Sequence, residues 1–420
     1  MAAMTDQAPP PDPQPAFRRK VFYIPGYDPI HPRRYRELYR TESRDQARLS
    51  GYDIALKPRS TPGPYGWRTQ ALMPPLPGAP PVPTATSFEV LVWSDIVRGS
   101  MDQGTLATYL QLIRTAGAYI LSGALFRLMR LRKGPMIAAL YPIVVLLVQL
   151  ALALALAAGL YRLGAFAHPT IGAFLALPAI PYTLRAFRRI DHRIYAWYLM
   201  HDYAYSAQSL GANPPELEAR MAAFTARLRE ALTDGDEVPD EVLVVGHSSG
   251  AHLAVSILSD LLRQGLPQPR PALSLLTLGQ VVPMVSFLPR AQRLRGDLRY
   301  LSARPDITWV DVTAPGDGCA FALCDPVSVT GVAPKGKVWP LVISAAFTQT
   351  LSPERWKALR WRFFRLHFQY LCAFDALGGG PGDYDYFQIT SGPLTLGQRY
   401  AGRPASKSRI ETALSGWRST

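Results

Sequence analysis

Two glycines bracket a serine in Gly246-His247-Ser248-Ser249-Gly250. A serine hydroxyl reaches a carbonyl only when a sharp strand-to-helix turn pushes it out of the chain. Side chains two residues before and after the serine would collide in such a turn, which is the reason for glycine at both places. Near neutral pH the hydroxyl is a weak nucleophile, so it needs a base within hydrogen-bond reach and a carboxylate to orient that base. The chemistry on offer is acyl transfer through a serine ester.

The chain has seven histidines, and only His252 and His367 follow Ser248. In a strand-turn-helix nucleophile the acid and then the histidine come after the serine. His252 lies on the helix leaving the turn and points along it, which leaves His367, in "RFFRLHFQYL". His247 diverges from its neighbour and is read as lining the sheet or the pocket. For the acid, Asp317 is favoured because "WVDVTAPGDGCAF" places it in a glycine-rich loop past a strand end, where functional groups of a parallel sheet collect. Asp325 is its rival, and Asp311, inside the strand, is read as structural. The oxyanion needs two backbone N–H groups. Ser249 offers one and Tyr27, after Gly26 in "YIPGYDP", the other, with Asp28 stabilising that turn.

These groups need a sheet to hold them. "EVLVV" before Gly246 is an apolar, β-branched strand, and after Gly250 the residues Leu253, Ile257 and Leu261 share a helix face that stops near Gly265. Further strands are read at "VFYI" from Val21, "FEVLVW" from Phe88, "LSLLTLG" from Leu273 and "ITWVDVT" from Ile307. Interleaved with helical stretches such as that from Pro215, they predict an α/β class with a mainly parallel sheet. The proline-rich run from Met73 to Pro83 reads as a stiff surface connector.

A different solvent is implied between the second strand and the serine strand. Met136 to Leu160 carries no charge and only Gln149 as a strongly polar residue, the length and composition of a membrane span. Leu163 to Leu184 is also uncharged but holds Pro169, Pro178 and Pro181, so a span, a re-entrant or an interfacial segment are all open. Arg127, Arg130, Arg132 and Lys133 precede the pair and Arg185, Arg188, Arg189 and Arg193 follow it, which by the positive-inside rule puts both flanks in the cytoplasm. The stretch from Thr108 to Lys133 fits either a surface-lying amphipathic helix or one packed on the sheet. The domain reading is residues 1–17 as a disordered start, 18–107 and 196–400 as two parts of one α/β domain, 108–195 as a membrane-associated helical insertion with its hairpin at about 136–184, and 401–420 as a C-terminal tail.

The excess of 45 basic over 31 acidic residues, +14, suits an anionic lipid surface. No basic stripe with interleaved aromatics lies outside the membrane flanks, so nucleic acid is not an expected partner. Cys319, Cys324 and Cys372 form no metal-ligand or disulfide pattern, and neither metal nor cofactor is expected.

Together "GHSSG", the early strand ending in "PGY", the Asp317 loop and His367 resemble the α/β-hydrolase superfamily over residues 20–100 and 238–395, with the hairpin inserted where that fold often carries a cap. "TLGQ" and "HFQYL" are similar in flavour to lipase-like and esterase-like members. Pro25 stands where the family's first loop usually has histidine. The resemblance implies Ser248 as nucleophile, His367 as general base and acid, Asp317 as its orienting carboxylate, and Tyr27 and Ser249 as oxyanion donors. The expected activity is a membrane-anchored serine hydrolase, multi-pass with a cytoplasmic catalytic domain, cleaving an ester or thioester of an acyl-ester or lipid substrate. Acyl transfer is not separated from hydrolysis, and the alternative is a non-catalytic scaffold that binds lipid or a partner protein at the membrane. Oligomeric state is not legible.

Overall fold

The computed structural model describes residues 16–59, 63–233, 238–266, 268, 270–378 and 383–420. The predicted disordered start therefore lies outside the described residues up to residue 15, and Phe17 already belongs to the first strand.

Eight strands form one sheet: β1 (Phe17–Ile24), β2 (Asp53–Pro58), β3 (Gly66–Met73), β4 (Val82–Val90), β5 (Glu241–His247), β6 (Ala272–Leu278), β7 (Thr308–Thr313) and β8 (Leu341–Ser344). Their order is β2-β3-β4-β1-β5-β6-β7-β8. From β4 to β8 all neighbours are parallel, while β2 and β3 add an antiparallel edge. The strand expected at Phe88–Trp93 instead begins at Val82 and ends at Val90. Pairing to β3 on one side and β1 on the other carries it upstream, so the proline-rich connector is the turn of a β3–β4 hairpin and shorter than expected.

Alternation along the strands sends successive side chains to opposite faces. Val21, Tyr23, Leu243, Val245, Val310 and Val312 join one buried cluster, and Phe22, Ile24, Val242, Val244, Leu275 and Trp309 the other. Both faces are covered, as a parallel sheet requires.

The principal helices are α1 (Arg33–Ser50), α2 (Thr105–Leu121), α3 (Ala124–Leu131), α4 (Lys133–Ala165), α5 (Pro169–Arg189), α6 (Ala196–Ala207), α7 (Pro215–Thr233), α8 (Gly250–Arg263), α9 (Gln292–Ser302) and α10 (Phe363–His367). α1 covers one face with Tyr35 and Tyr39, and α8 covers the other with Leu253, Ile257 and Leu261. The chain therefore leaves β1 and β5, adjacent strands, in opposite directions. The crevice between their carboxyl ends is where ligands of open parallel sheets bind.

Two helices, α4 and α5, are long and apolar enough to cross a membrane. The prolines that weakened the second apolar stretch do not break it. Pro169 opens α5 at its first position, where a missing N–H costs nothing, and the His168 side chain accepts from Thr170 N–H. The two helices meet glycine to glycine: a Cβ on Gly164 would stand 2.7 Å from Gly172 Cα. Such close backbone approach is typical of helix pairs in lipid.

The stretch from Thr108 forms two helices and does not pack on the sheet. α2 buries Thr108, Leu112, Thr115 and Tyr119, and Leu112 meets Leu146 of α4 and Trp197, Met200 and Ala204 of α6. α6 belongs with these helices, so the physical insertion extends from Thr105 to Ala207, past the expected limit at 195. Residues 401–420 are tied down over part of their length: Asp325 N–H donates to Ile410 C=O at 2.9 Å, and Arg295 Nε to Ser419 C=O at 2.7 Å.

Candidate active site

Ser248 follows β5 directly and has φ 56°, a left-handed conformation uncommon for a side chain of this kind. The turn is held from three sides. A Cβ on Gly246 would lie 2.7 Å from Gly250 C=O, and one on Gly250 only 2.2 Å from Ile24 C=O. Ser248 N–H is fixed by Leu278 C=O at 2.9 Å. Glycine is thus required at both places by contact, and the Ser248 side chain is presented to a pocket of about 870 Å³ counted to its open mouth.

His367 lines the same pocket, at the end of α10. Its Nδ1 is 2.7 Å from Asp317 Oδ2, so Nε2 is the nitrogen left for the pocket. The Asp317 carboxylate also accepts from Tyr370 O–H at 3.0 Å and from Cys319 N–H at 2.9 Å. Burial pushes this carboxyl up, but the adjacent His367 and these hydrogen bonds outweigh it and hold the group below the usual carboxylate range. Asp317 remains the ionised partner that an imidazolium needs.

Asp325, its sequence rival, caps the short helix from Pro326 through Val327 N–H and Ser328 N–H, both at 3.0 Å, and pairs with Lys337 at 2.6 Å. Asp311 accepts from Thr277 Oγ1–H at 2.5 Å inside the sheet, and burial raises it to about 8. Neither reaches His367. His252 is buried on α8 away from the acid, where burial lowers it to about 4. Asp28 takes hydrogen bonds from Ile30 N–H, Arg34 and Tyr35 O–H, as a turn-stabilising residue would.

The loop after β1 faces the elbow across the crevice. Trp93 Nε1–H donates to Pro25 C=O at 2.9 Å and Tyr198 O–H to Tyr27 C=O, which engages both carbonyls and holds the loop in place. Among the described residues no acceptor engages the N–H of Tyr27 or of Ser249, and both residues line the pocket. The two expected donors are thus brought together beside Ser248.

Four contributors had little or no signal as motifs. His247 Nε2–H donates to His367 C=O at 3.0 Å, and burial lowers this histidine to about 3, so it is a neutral strut beneath His367. Gly279, φ 53°, makes room for the histidine segment: a Cβ there would be 2.7 Å from Tyr370 Cε2 and 3.1 Å from His367 Cε1. Tyr370 braces Asp317 and accepts from Ala314 N–H at 2.9 Å. Asp202, from α6, lines the pocket and is raised by burial to about 7, with the His367 charge pulling the other way. "TLGQ" and "HFQYL" contain the glycine and the tyrosine, whereas nothing around Asp202 marks it.

Asp317, Cys319 and His367 also bring three ligand-type atoms within 4.8 Å of one another. The His367 Nδ1 and Asp317 carboxylate atoms are already engaged with each other. Burial, with Asp317 and Asp202 nearby, pushes the Cys319 thiol well up, away from the thiolate that metal binding needs.

No protein-family model matches the chain, nor does any curated protein or any solved structure.

Proposed function

We propose that the protein is a membrane-associated serine hydrolase that cleaves an ester or thioester, with a catalytic domain of α/β-hydrolase type. The observation that carries this reading is the shared pocket: Ser248 on its strained turn and His367, held through Nδ1 by Asp317, line one cavity beside two free backbone N–H groups.

The reaction follows from those positions. His367 Nε2 takes the Ser248 proton as Oγ bonds to the substrate carbonyl carbon, and the oxyanion is met by the N–H groups of Tyr27 and Ser249. The carbon–oxygen or carbon–sulfur bond to the leaving group then breaks, and the leaving atom takes the proton back from His367. Water, deprotonated by the same imidazole, attacks the acyl-serine and releases a carboxylic acid and free Ser248.

The hairpin supports a cytoplasmic placement. β1 and β5 precede and follow it in sequence yet are hydrogen-bonded neighbours, so the chain crosses an even number of times. α4 and α5 satisfy that parity, whereas counting the bent pair α2 and α3 (73°) as a further span would break it. Basic residues at both outer flanks favour the cytoplasmic side, although Arg127 and Arg132 are used to tie the insertion to Leu414 C=O and Ala322 C=O.

The test is labelling of detergent-solubilised protein by a fluorophosphonate. Labelling that disappears in Ser248→Ala and His367→Ala supports the reading. Folded wild-type protein that never labels would turn it toward a non-catalytic scaffold.

A further inference from the structure

The pocket at Ser248 does not end at the reacting groups. A second cleft of about 440 Å³, counted to its mouth, shares Tyr119, Tyr203 and Met284 with it. No charged side chain lines this second space among the described residues. Of the two tyrosines at the junction, Tyr119 spends its hydroxyl on Met284 C=O at 3.0 Å. A space with so little polar capacity rewards a hydrocarbon occupant and no other.

Its long wall is the start of a membrane-spanning helix. α4 gives Pro135 to the catalytic pocket and then Met136, Ala139, Leu140 and Ile143 to the cleft. These positions share one helix face, and from Pro135 to Ile143 that face runs about 12 Å. The 33 residues of α4 extend about 50 Å against a hydrocarbon core of about 30 Å, so its first turns can stand clear of the lipid while the rest crosses it.

The opposite wall is α2, through Thr115, Ala116 and Ile120. Ile120 lies at the rim and is 46% exposed, and Leu106, Leu110 and Ile113 continue an exposed apolar stripe along the same helix. The cleft therefore opens beside an uncovered apolar face, next to a helix that enters the bilayer.

We propose that this cleft is an acyl-chain site: it holds the hydrocarbon tail of a long-chain ester whose carbonyl sits at Ser248, and the tail enters sideways from the membrane between α2 and α4. The inference rests on the hydrolase reading and adds the substrate class, a long-chain acyl lipid drawn from the bilayer. It also gives the hairpin a part in substrate delivery. The tail continues from a carbonyl at Ser248 past Tyr119 and Met284, and each methylene buried there favours the long substrate about fourfold.

Two measurements test it on the full-length protein. In the first, Ser248→Ala protein in lipid nanodiscs is irradiated with a palmitoyl monoacylglycerol bearing a diazirine near its methyl end, and the labelled peptides are mapped. Labels at Thr115, Ala116 or Tyr119, or at Ala139, Leu140 or Ile143, support the site. Labels confined to the outward stripe or to the lipid-facing hairpin overturn it. Because this variant has no nucleophile, the result stands whether or not Ser248 proves catalytic.

In the second, Ala116→Trp, which fills the cleft from its half-buried α2 side, is compared with wild type on palmitoyl and acetyl nitrophenyl esters. The expected result is a fall of at least about tenfold in the palmitoyl-to-acetyl ratio of kcat/KM, the loss of two or more buried methylenes. A ratio equal to that of wild type overturns the site. Wild-type protein that takes a fluorophosphonate but shows no preference for palmitoyl over acetyl also overturns it, and leaves the hydrolase reading intact.

Discussion

Gly26 offers a sharp test of the site because its effect is set by contact with the nucleophile. A Cβ at Gly26 would stand 2.9 Å from Ser248 Cβ, 3.3 Å from His247 C=O and 3.4 Å from Ser248 Oγ. Carbon atoms rest comfortably at about 3.5–4.0 Å, so Gly26→Ala forces a separation of about 0.6–1 Å. Ser248 has little room to give, since Gly246 and Gly250 already pack backbone to backbone behind it. The loop must move instead and carry the Tyr27 N–H away from the oxyanion. A misplacement near 1 Å costs about 10²-fold and loss of an oxyanion donor about 10²–10³-fold. The second-order rate constant for fluorophosphonate labelling is therefore expected to fall by about 10²–10³, with folding checked by thermal melting. Gly336→Ala is the control, because nothing lies within 4 Å of a Cβ there. A folded Gly26→Ala protein that labels as fast as Gly336→Ala would refute the assignment of this loop to the site.

Asp317→Asn should lower turnover by about 10⁴ by stabilising the wrong His367 tautomer, while Tyr370→Phe removes one of three hydrogen bonds on the carboxylate and should cost far less; steady-state rates on a short ester separate the two. Asp202 makes the fold pH-sensitive. Its carboxyl is raised from 3.8 to about 7 by burial, so the stabilising protonated form is present below about pH 4 and is lost as pH rises toward and through 7. Asp202→Asn should therefore melt higher than wild type at pH 8, by on the order of 2 kcal/mol after screening through the open pocket, and equally at pH 4; a gain at the lower pH instead would reverse the sign. Glu241 pairs with Arg19 at 2.6 Å, both fully buried, and accepts from Ser274 Oγ–H and Leu396 N–H. Glu241→Ala leaves that guanidinium unpaired and should cost about 3–5 kcal/mol in denaturant unfolding.

The central strands could be read from sequence because parallel strands buried on both faces appear as unbroken apolar runs, as in "EVLVV" and "LSLLTL". β2 and β3 were missed for the opposite reason. "DIALKP" and "GWRTQALM" sit at the sheet edge with alternate residues exposed, and their polar content hides them. β8, at four residues, is too short to leave a pattern. In the site, the nucleophile turn and the histidine segment follow from local chemistry and chain order. His247 and Asp202 do not, because their roles depend on segments more than a hundred residues apart meeting in space.

The insertion is part of the site's architecture through α6. Gln149, the strongly polar residue of the first span, is buried and accepts from Trp197 Nε1–H at 3.0 Å, so its presence in an apolar helix is balanced by a partner on α6. One residue further, the Tyr198 hydroxyl donates to Tyr27 C=O and so tethers the loop after β1 to α6. Two residues after that, Met200 borders the apolar cleft, and Asp202 and Tyr203 enter the catalytic pocket. A single twelve-residue helix thus touches the long apolar helix α4, the loop after β1, the pocket and the cleft. An anchor serving localisation alone needs none of these contacts, whereas a site that draws its substrate from the bilayer needs its entry path and its reacting groups held by one rigid element.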